Sequence, residues 1–584
     1  MDLCAHWRGR ERFVVFDADW GDGARFAAWV SAWRADPQRP AHLHVIAIAR
    51  GELPGFRRVL QPDPAITLDL LHLLPDSVQH SVPSAPIEAA LAQLAARFDA
   101  VRLHDSHDLH GLEEGGFARA LARLLAKGAV LHADRLSARQ TAALVATGWA
   151  FDGGVDGVQS ARYASRKPFA AIAPALDRRA IVIGAGLAGA AACERLCARG
   201  WDVTLVERHP QAAMEASGNL AGISMPLLSK DDNIASRVSR AAYLFALDYW
   251  QRLGGVGAAI EGARCGVLLV AKDAAHATLQ RATACARALP PWYAEWFDSA
   301  AAGARFDTLA PHGAWLFPQG GWMRPASACQ AMLDACGARL ERRFGVGSVS
   351  LERIGDAWRV CDASGATIAQ ANTVIVANGA GANQLAQAAF LPLARVRGQV
   401  THLAAQATPG LDLNRGLGLG LDLDLGLVLC REAYLTPAFA GVHSAGASYD
   451  EDDDPALRAS SQQQNLDKLR SMLGASMPGD AAVGVDAPLR GRVGFRSVAP
   501  DRLPLVGALP DPAFAVGAER LRELPRQSGL YALLGYASRG LTWAPLAAEL
   551  LAASLEGEPS PLETSLAAAL DPGRFQLRGR RGQQ

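Results

Sequence analysis

Arg179-Ala-Ile-Val-Ile-Gly-Ala-Gly-Leu-Ala-Gly-Ala190 is the stretch whose reading decides the fold. Residues 180–183 are apolar and largely β-branched, the pattern of a strand buried on both faces. Gly184, Gly186 and Gly189 follow in G-x-G-x-x-G spacing, and residues 190–199 read as a helix closed by Gly200. A second apolar run, 203–206, ends in Glu207. Strand, glycine turn, helix, strand and acid come in the order that a dinucleotide half-site requires. Gly184 permits the tight turn, Gly186 lets the backbone approach a pyrophosphate with no Cβ in the way, and Gly189 brings the helix close to the strand. The helix N-terminus then offers N–H groups and a partial positive charge to the phosphates. Glu207 can accept from both hydroxyls of an adenosine ribose and opposes a 2′-phosphate, which points to FAD or NAD rather than NADP.

At 584 residues the chain is too long for one core, so two or more domains are expected. A hydrophobic share of 50% supplies those cores and excludes a disordered chain. The formal net charge is +0, so no global field draws the protein to nucleic acid or membrane, and an anionic partner needs a local patch. The nine cysteines form no C-x-x-C pair, which suggests a reducing compartment. Cys193 and Cys197, one helical turn apart, read as packing. Residues 1–12 are charged and lack the apolar core of a signal peptide, and no apolar run is long enough to span a bilayer. These features predict a cytoplasmic protein with no membrane contact.

Upstream of the glycine turn, strand candidates at 13–16, 42–48, 98–103 and 129–132 alternate with helices at 25–35 and 117–125. Such alternation predicts an α/β domain with an open parallel sheet that binds ligands at its strands' C-terminal ends. Two loops would lie there, Asp17-Ala-Asp-Trp-Gly-Asp-Gly-Ala24 and His104-Asp-Ser-His-Asp-Leu-His110. The second strand ends Ala47-Ile-Ala-Arg50, with no acid to hold a ribose, and acids surround Gly21 and Gly23. The three histidines of the second loop have no helical frame, so no metal is expected, while Asp105 or Asp108 could face a bound amine.

Residues 165–177, with Pro168 and Pro174, read as a linker. Beyond Glu207, Glu215-Ala-Ser-Gly-Asn-Leu-Ala-Gly222 is a small-residue loop that suits close approach to a flat cofactor ring, or else an ordinary turn. A long amphipathic helix is expected at 232–253 and another at 326–336 after the loop 317–325. A strand at 373–377, followed by Asn378-Gly-Ala-Gly-Ala382, would pass under the same nucleotide. Residues 411–429 are almost all Leu, Asp and Gly and carry no assigned chemistry. Asp450-Glu-Asp-Asp-Asp454 reads as a solvated loop, with a cation site as the alternative. In Gly494-Phe-Arg-Ser-Val-Ala-Pro-Asp-Arg-Leu-Pro-Leu-Val-Gly507, Arg496 can clamp a carboxylate, since a guanidinium meets both oxygens; a plain surface arginine is the alternative. A strand ends near Ala537-Ser-Arg-Gly540 and a helix is expected at 541–555, with Pro545 in its first turn. Its N-terminus could face a cofactor ring where negative charge develops on reduction. The arginines of 574–581 read as a solubilising tail or as phosphate contacts.

These segments together carry a resemblance. From about residue 178 to 570 the chain resembles the glycine-oxidase-like FAD amine oxidoreductases. More closely it resembles the MnmC family, bifunctional enzymes that finish 5-methylaminomethyl-2-thiouridine at the tRNA wobble position. The motifs are Ile183-Gly-Ala-Gly-Leu-Ala-Gly189, Ala216-Ser-Gly-Asn219, Pro226-Leu-Leu-Ser-Lys230, Pro318-Gln-Gly-Gly-Trp322, Gly398-Gln399, Tyr434-Leu-Thr-Pro437, Gly446-Ala-Ser-Tyr449, Gln462-Gln-Gln-Asn465 and Ser538-Arg-Gly-Leu541.

The resemblance implies an α/β fold with a Rossmann-like methyltransferase-type domain at 1–164 and a linker at 165–177. A D-amino-acid-oxidase-like FAD-binding Rossmann domain then fills 178–584, with FAD-binding parts at about 178–265, 325–395 and 490–570. An inserted α+β substrate domain takes about 266–324 and 396–489. Gly184, Gly186, Gly189 and Glu207 would bind the FAD adenosine diphosphate, and Ser217, Gly218 and Asn219 would lie near the ribityl chain or ring. Arg539 and Gly540 would close over the flavin; Arg496 would hold the substrate carboxylate, with Tyr434 as a second contact. The implied partner is tRNA, and the implied state a monomer. The implied reaction is FAD-dependent removal of the carboxymethyl group from 5-carboxymethylaminomethyl-(2-thio)uridine. The alternative is an FAD oxidase of free glycine- or sarcosine-type amino acids with a passive N-terminal scaffold. S-adenosylmethionine is implied for the first domain, which departs from the family pattern in three places. Asp19-Trp-Gly-Asp-Gly23 replaces its glycine-rich loop, Ala49 its acid, and His104-Asp-Ser-His107 its Asp-Gly-Phe-Ala-Pro motif.

Overall fold

The computed structural model describes residues 3–73, 87–104, 115–155, 158–164, 177–306, 309–405, 426–473, 490–514 and 518–577. Nearly all of the expected linker, most of the 411–429 stretch, residues 105–110 and the arginine tail beyond 577 lie outside them. The chain divides into two compact units, one made of Met1–Leu176 and Ala552–Ala567, the other of Asp177–Leu551 and Ala568–Gln584.

The first unit is built on β1 (Arg12–Asp17), α1 (Ala24–Ala35), β2 (His42–Arg50), β3 (Gly55–Leu60), β4 (Ile66–Leu73), β5 (Phe98–Leu103), β6 (Leu125–Asp134), β7 (Trp149–Val155) and β8 (Val158–Tyr163). They form one eight-stranded sheet in the order β3-β4-β2-β1-β5-β6-β8-β7. The strands from β4 to β6 run parallel, while β3, β7 and β8 pair antiparallel. Apolar side chains pack on both faces, Phe16, Ile46, Phe98 and Leu131 in one cluster and Phe13, Val15, Trp29 and Val45 in the other. That two-sided burial is why β1 and β2 read as unbroken apolar runs. The chain order reverses at β1, so the C-terminal ends of β1 and β5 form the switch point where such sheets bind ligands. Residues 552–567 join this unit through hydrogen bonds: Thr564 N donates to Gln93 O at 2.7 Å and the Arg58 side chain, through Nη2, to Pro559 O at 2.7 Å.

The second unit holds two larger sheets. The elements used below are β9 (Arg179–Ile183), α2 (Leu187–Cys197), β10 (Asp202–Glu207), β11 (Leu340–Phe344), β12 (Thr373–Val376), β13 (Ala394–Ala404), β14 (Tyr434–Leu435), β15 (Val442–Gly446), α3 (Ala459–Leu473), β16 (Gly491–Val498), β17 (Leu505–Pro510), β18 (Arg526–Leu534) and α4 (Gly540–Leu555). The six-stranded sheet runs β11-β10-β9-β12-β18-β17, and only β17 is antiparallel. An eight-stranded sheet ends in β14-β15-β13-β16, all antiparallel neighbours. One face of β13 packs on α3, where Asn465 Nδ2 donates to Gln399 O at 2.9 Å and Thr401 Oγ1 donates to Gln462 Oε1 at 2.9 Å.

Two expectations change. Helix α4 starts at Gly540, so Pro545 stands inside the helix instead of in its first turn, and the Leu541 carbonyl loses its usual donor. The five-acid run is bound by arginines. Asp452 and Asp454 each lie 2.8 Å from Arg458, and Asp450 lies 3.1 Å from Arg397. Among the described residues no group of His, Cys, Asp and Glu is placed to hold a metal.

Candidate functional site

The glycine turn between β9 and α2 behaves as its spacing predicts. Gly184 has φ +103°, and a Cβ there would stand 2.7 Å from Asn378 Cα. A Cβ on Gly189 would fall 1.8 Å from the Gly184 carbonyl, so no other residue fits that turn of helix on strand. Gly186 caps α2 in an extended conformation, and a Cβ on it would meet Ser217 Oγ at 3.0 Å. Glu207 ends β10 almost fully buried, accepting from Ala185 N at 2.7 Å and His209 N at 2.9 Å. Because β9 pairs with both β10 and β12, the turn and the Asn378 loop lie side by side at the switch point of this sheet. The Oδ1 of Asn378 is buried with no hydrogen-bond partner among the described residues.

Three further expected residues converge here. Ser217 Oγ accepts from Leu187 N at 3.1 Å, at the start of α2. Gly540, the first residue of α4, packs on the same Leu187, and a Cβ on it would stand 2.9 Å from Leu187 Cδ1. Arg539 immediately precedes it; burial lowers its pKa, and the Cys430 thiol works the other way. Two helix N-termini therefore meet over a backbone stripped of Cβ atoms.

A second group sits on the free face of the β14-β15-β13-β16 sheet. Gly398 on β13 lies directly opposite Gly494 on β16, and Val400 faces both Arg492 on β16 and Gly446 on β15. Side chains two apart on a strand share a face, so Arg492, Gly494 and Arg496 point the same way as Gly398. The glycines leave this face bare, and the arginines lie across it. A Cβ on Gly398 would collide with the Arg496 guanidinium at 2.2 Å, and one on Gly494 would meet Arg492 Nη1 at 3.2 Å.

Arg496 is half-buried and makes two long hydrogen bonds, to the carbonyls of Arg397 at 3.4 Å and Ser448 at 3.3 Å. It forms no ion pair among the described residues. Burial pushes its pKa down, opposed by Tyr434, Tyr449 and Asp450. Tyr434 stands at the same face, its hydroxyl 3.6 Å from the position of a Gly446 Cβ. Burial pushes its pKa up to about 12, with Arg496 pulling the other way, so it remains a neutral hydrogen-bond donor at ordinary pH.

Sequence reasoning overlooked Arg492. Its guanidinium donates to Met214 O at 2.7 Å, to Glu215 O at 2.5 Å and to Asn219 Oδ1 at 3.2 Å. A Cβ on Gly218 would strike it at 2.4 Å, which explains the glycine there. Arg492 thus fastens the 214–219 loop, whose Ser217 meets α2, to the sheet that carries Arg496. The signal was available: two arginines four apart on a strand share a face. His402, also on β13, has its pKa lowered by burial and by Arg492, and its buried Nε2 has no hydrogen-bond partner among the described residues.

The residues fit FAD on these grounds: a cradle that any Cβ would fill, an unsatisfied Asn378 oxygen beside it, and a bare sheet face beyond. In the first unit, the loop at the end of β1 is held by its own side chains. At the end of β1, Arg25 Nε donates to Asp17 Oδ2 at 3.1 Å, and its Nη2 bonds the Asp19 carbonyl inside the loop. Its guanidinium is 3.4 Å from the place of a Gly21 Cβ, and the Trp20 ring is 2.8 Å from that of Gly23. His104 Nε2 lies 2.7 Å from Asp17 Oδ1, with Nδ1 3.4 Å from Asp134 Oδ2. These contacts fasten the loop at the switch point, and β2 ends in buried Ala49 and exposed Arg50, with no acid. Asp105 and Asp108 lie outside the described residues.

Comparison with known proteins agrees with this geometry. The family described as FAD dependent oxidoreductase matches residues 179–554. The tRNA 5-methylaminomethyl-2-thiouridine biosynthesis bifunctional protein MnmC of Burkholderia thailandensis is 39% identical over 625 aligned positions, covering 100% of this chain and 93% of that protein. Its namesake from Azoarcus sp. strain BH72 is 39% identical, covering 99% and 92%. Among solved structures, glycine oxidase from Geobacillus kaustophilus superposes with TM-score 0.53 at 18% identity, covering 67% of this chain and 98% of that one. L-proline dehydrogenase from P. horikoshii gives TM-score 0.53 at 18% identity, covering 69% and 99%. At that identity the likeness is one of fold. The glycine turn, the arginine-bearing sheet and the full-length relatives agree: this chain belongs to the MnmC family of bifunctional tRNA-modifying proteins, with an FAD dependent oxidoreductase as its second unit.

Proposed function

We propose that the second unit removes the carboxymethyl group from 5-carboxymethylaminomethyl-(2-thio)uridine at the wobble position of tRNA, leaving the aminomethyl nucleoside. The carrying observation is Arg496, a half-buried guanidinium on a glycine-paved sheet face, with no carboxylate partner among the described residues. An unmatched cation held there by long bonds suits a carboxylate brought by the substrate. Tyr434, a neutral donor beside it, adds a hydrogen bond to the same group.

Gly184, Gly186, Gly189 and Glu207 would hold the FAD adenosine diphosphate; Ser217, Gly218, Asn219, Arg539 and Gly540 would surround the rest. When bound, FAD would supply the acceptor for a hydride from the substrate's glycyl carbon. Arg496 and Tyr434 align that carbon by fixing the carboxylate. Burial around them keeps water from competing for those bonds. Loss of hydride and the amine proton converts C–N to an imine; water adds to it, glyoxylate leaves, and the amine stays on the uridine. No side-chain base is needed if the amine enters neutral.

No step is routed through S-adenosylmethionine, since the loop at the end of β1 departs from the family's pattern and is tied by Arg25, Asp17 and His104. The reaction proposed for this chain ends at the aminomethyl nucleoside. The test is incubation of FAD-loaded protein with tRNA bearing the carboxymethylaminomethyl group, with and without S-adenosylmethionine, followed by digestion to nucleosides. The aminomethyl nucleoside is expected in both arms. A methylated product would return S-adenosylmethionine to the first unit. An unchanged nucleoside together with turnover of free glycine would replace the proposal with the amino-acid oxidase.

A further inference from the structure

Tyr449 is a large aromatic residue left 52% exposed beside the most enclosed chemistry of the second unit. Both its neighbours are tightly held. Ser448 is fully buried; its N donates to Gln399 O at 3.1 Å, and its Oγ accepts from Gln399 N at 3.0 Å. Asp450 N donates to Arg397 O at 3.0 Å, and Arg397 N returns a bond to Asp450 O at 2.8 Å. The antiparallel bridge between Arg397 and Asp450 sets Tyr449 beside Gly398, on the face where Arg496 lies. The Arg496 Cζ is 5.3 Å from the centre of the Tyr449 ring. A rigid backbone that presents an exposed ring loses little freedom when something stacks on it.

We propose that Tyr449 is the stacking platform for the wobble uracil whose side-chain carboxylate Arg496 grips. The inference rests on the function proposed above and names the residue that makes the site one for a nucleobase. The dimensions agree. The arm between uracil C5 and the carboxylate has four bonds of ~1.5 Å and spans about 5 Å when extended. With the guanidinium and the ring 5.3 Å apart, an arm of that length lets one nucleoside reach both. Unpaired bases taken out of a stack are held on aromatic side chains in this way. A free amino acid would have no use for the ring.

The test is anaerobic flavin reduction in the FAD-loaded enzyme by an anticodon stem-loop carrying 5-carboxymethylaminomethyluridine, for wild type, Tyr449→Phe and Tyr449→Ala. Loss of one base–aromatic stack corresponds to about 5- to 150-fold in affinity. Tyr449→Ala is expected to raise the half-saturating RNA concentration about 10-fold or more, and Tyr449→Phe to stay within about 2-fold. Glycolate, a small carboxylate that reads Arg496 and Tyr434 without a base, is expected to perturb the flavin spectrum at the same concentration in all three. An unchanged RNA dependence in Tyr449→Ala overturns the platform. Parallel weakening of glycolate overturns it too, because Tyr449 would then only prop Arg496. If the RNA fails to reduce wild-type flavin, the proposed function falls and takes the platform with it; reduction that ignores position 449 removes the platform alone.

Discussion

Arg397 and Arg496 show how one residue type can serve two ends within one sheet. Arg397 is fully buried, and its guanidinium meets Asp450, Gln399 and Ser461 and the carbonyls of Asp454 and Ala456. Arg496, across β13 from Val396, has only two long bonds to carbonyls. Strand alternation separates them: 397 faces α3, while 496 shares the free face with Gly398. A satisfied arginine holds structure, whereas one without a counter-ion is available to a ligand. Arg496→Ala is therefore expected to leave a yellow, FAD-loaded protein whose kcat/KM on the modified tRNA falls by about two orders of magnitude, equivalent to ~3 kcal/mol of a lost charge pair. Arg496→Lys should not restore it, because an ammonium cannot match both carboxylate oxygens. Wild-type turnover by either variant would remove the clamp. Gly398 could be quoted from the sequence, but its reason, an arginine lying flat across it, could not.

At the scale of elements, the glycine turn was legible because its constraints are local. Three glycines, two apolar runs and one acid specify β9, α2 and β10 within thirty or so residues, and no distant contact can relax them. The antiparallel sheet is different. β13, the β14–β15 hairpin and β16 come from stretches far apart in the chain, and β14 has only two residues. Period-2 patterning cannot show which strand pairs with which. The Asp450–Arg397 bridge is one such pairing, and the acidic run belongs to it, which composition alone read as solvent-facing. Replacing Arg397 by Met takes the guanidinium from Asp450, Gln399 and the carbonyls of Asp454 and Ala456, leaving Asp450 with Ser448 and Gln399 with Arg458. The expected cost is roughly 3–5 kcal/mol of unfolding free energy, since one side of a largely buried charge network is removed. Denaturant unfolding measures it, and a change under ~1 kcal/mol would show that the network relaxes.

Across the whole molecule, the first unit carries an acid sensitivity written in its histidines. Burial, with Arg57 adding to it, holds His72 down to about 4, and burial chiefly holds His132 at about 4. Burial also lowers His44, against the pull of Asp69. Their ordinary value is 6.5. Between those values the unfolded chain binds protons that the folded unit excludes, so stability is complete above 6.5 and declines as pH falls towards 4. Calorimetry at pH 7.5 and pH 5 should show the transition of the first unit moving to lower temperature. A His72→Gln/His132→Gln variant should show a smaller shift, and equal shifts in both proteins would assign the acid sensitivity elsewhere.

By itself the sequence determined that the chain carries a dinucleotide half-site from about residue 179 onward, and that a parallel α/β sheet precedes it. Each follows from short-range rules of sterics and periodicity acting on neighbouring residues. It also offered Arg496 as a carboxylate clamp, with a plain surface arginine as the alternative. Only the tertiary structure decided that Arg492 ties the 214–219 loop to the sheet that carries Arg496, that glycines from three strands pave one face, and that Arg25 and Trp20 pack against the glycines of the loop at the end of β1. Those facts are meetings between side chains distant in sequence. Which atoms share a volume is set by close packing and strand register over the whole fold, and no window of neighbouring residues contains that information.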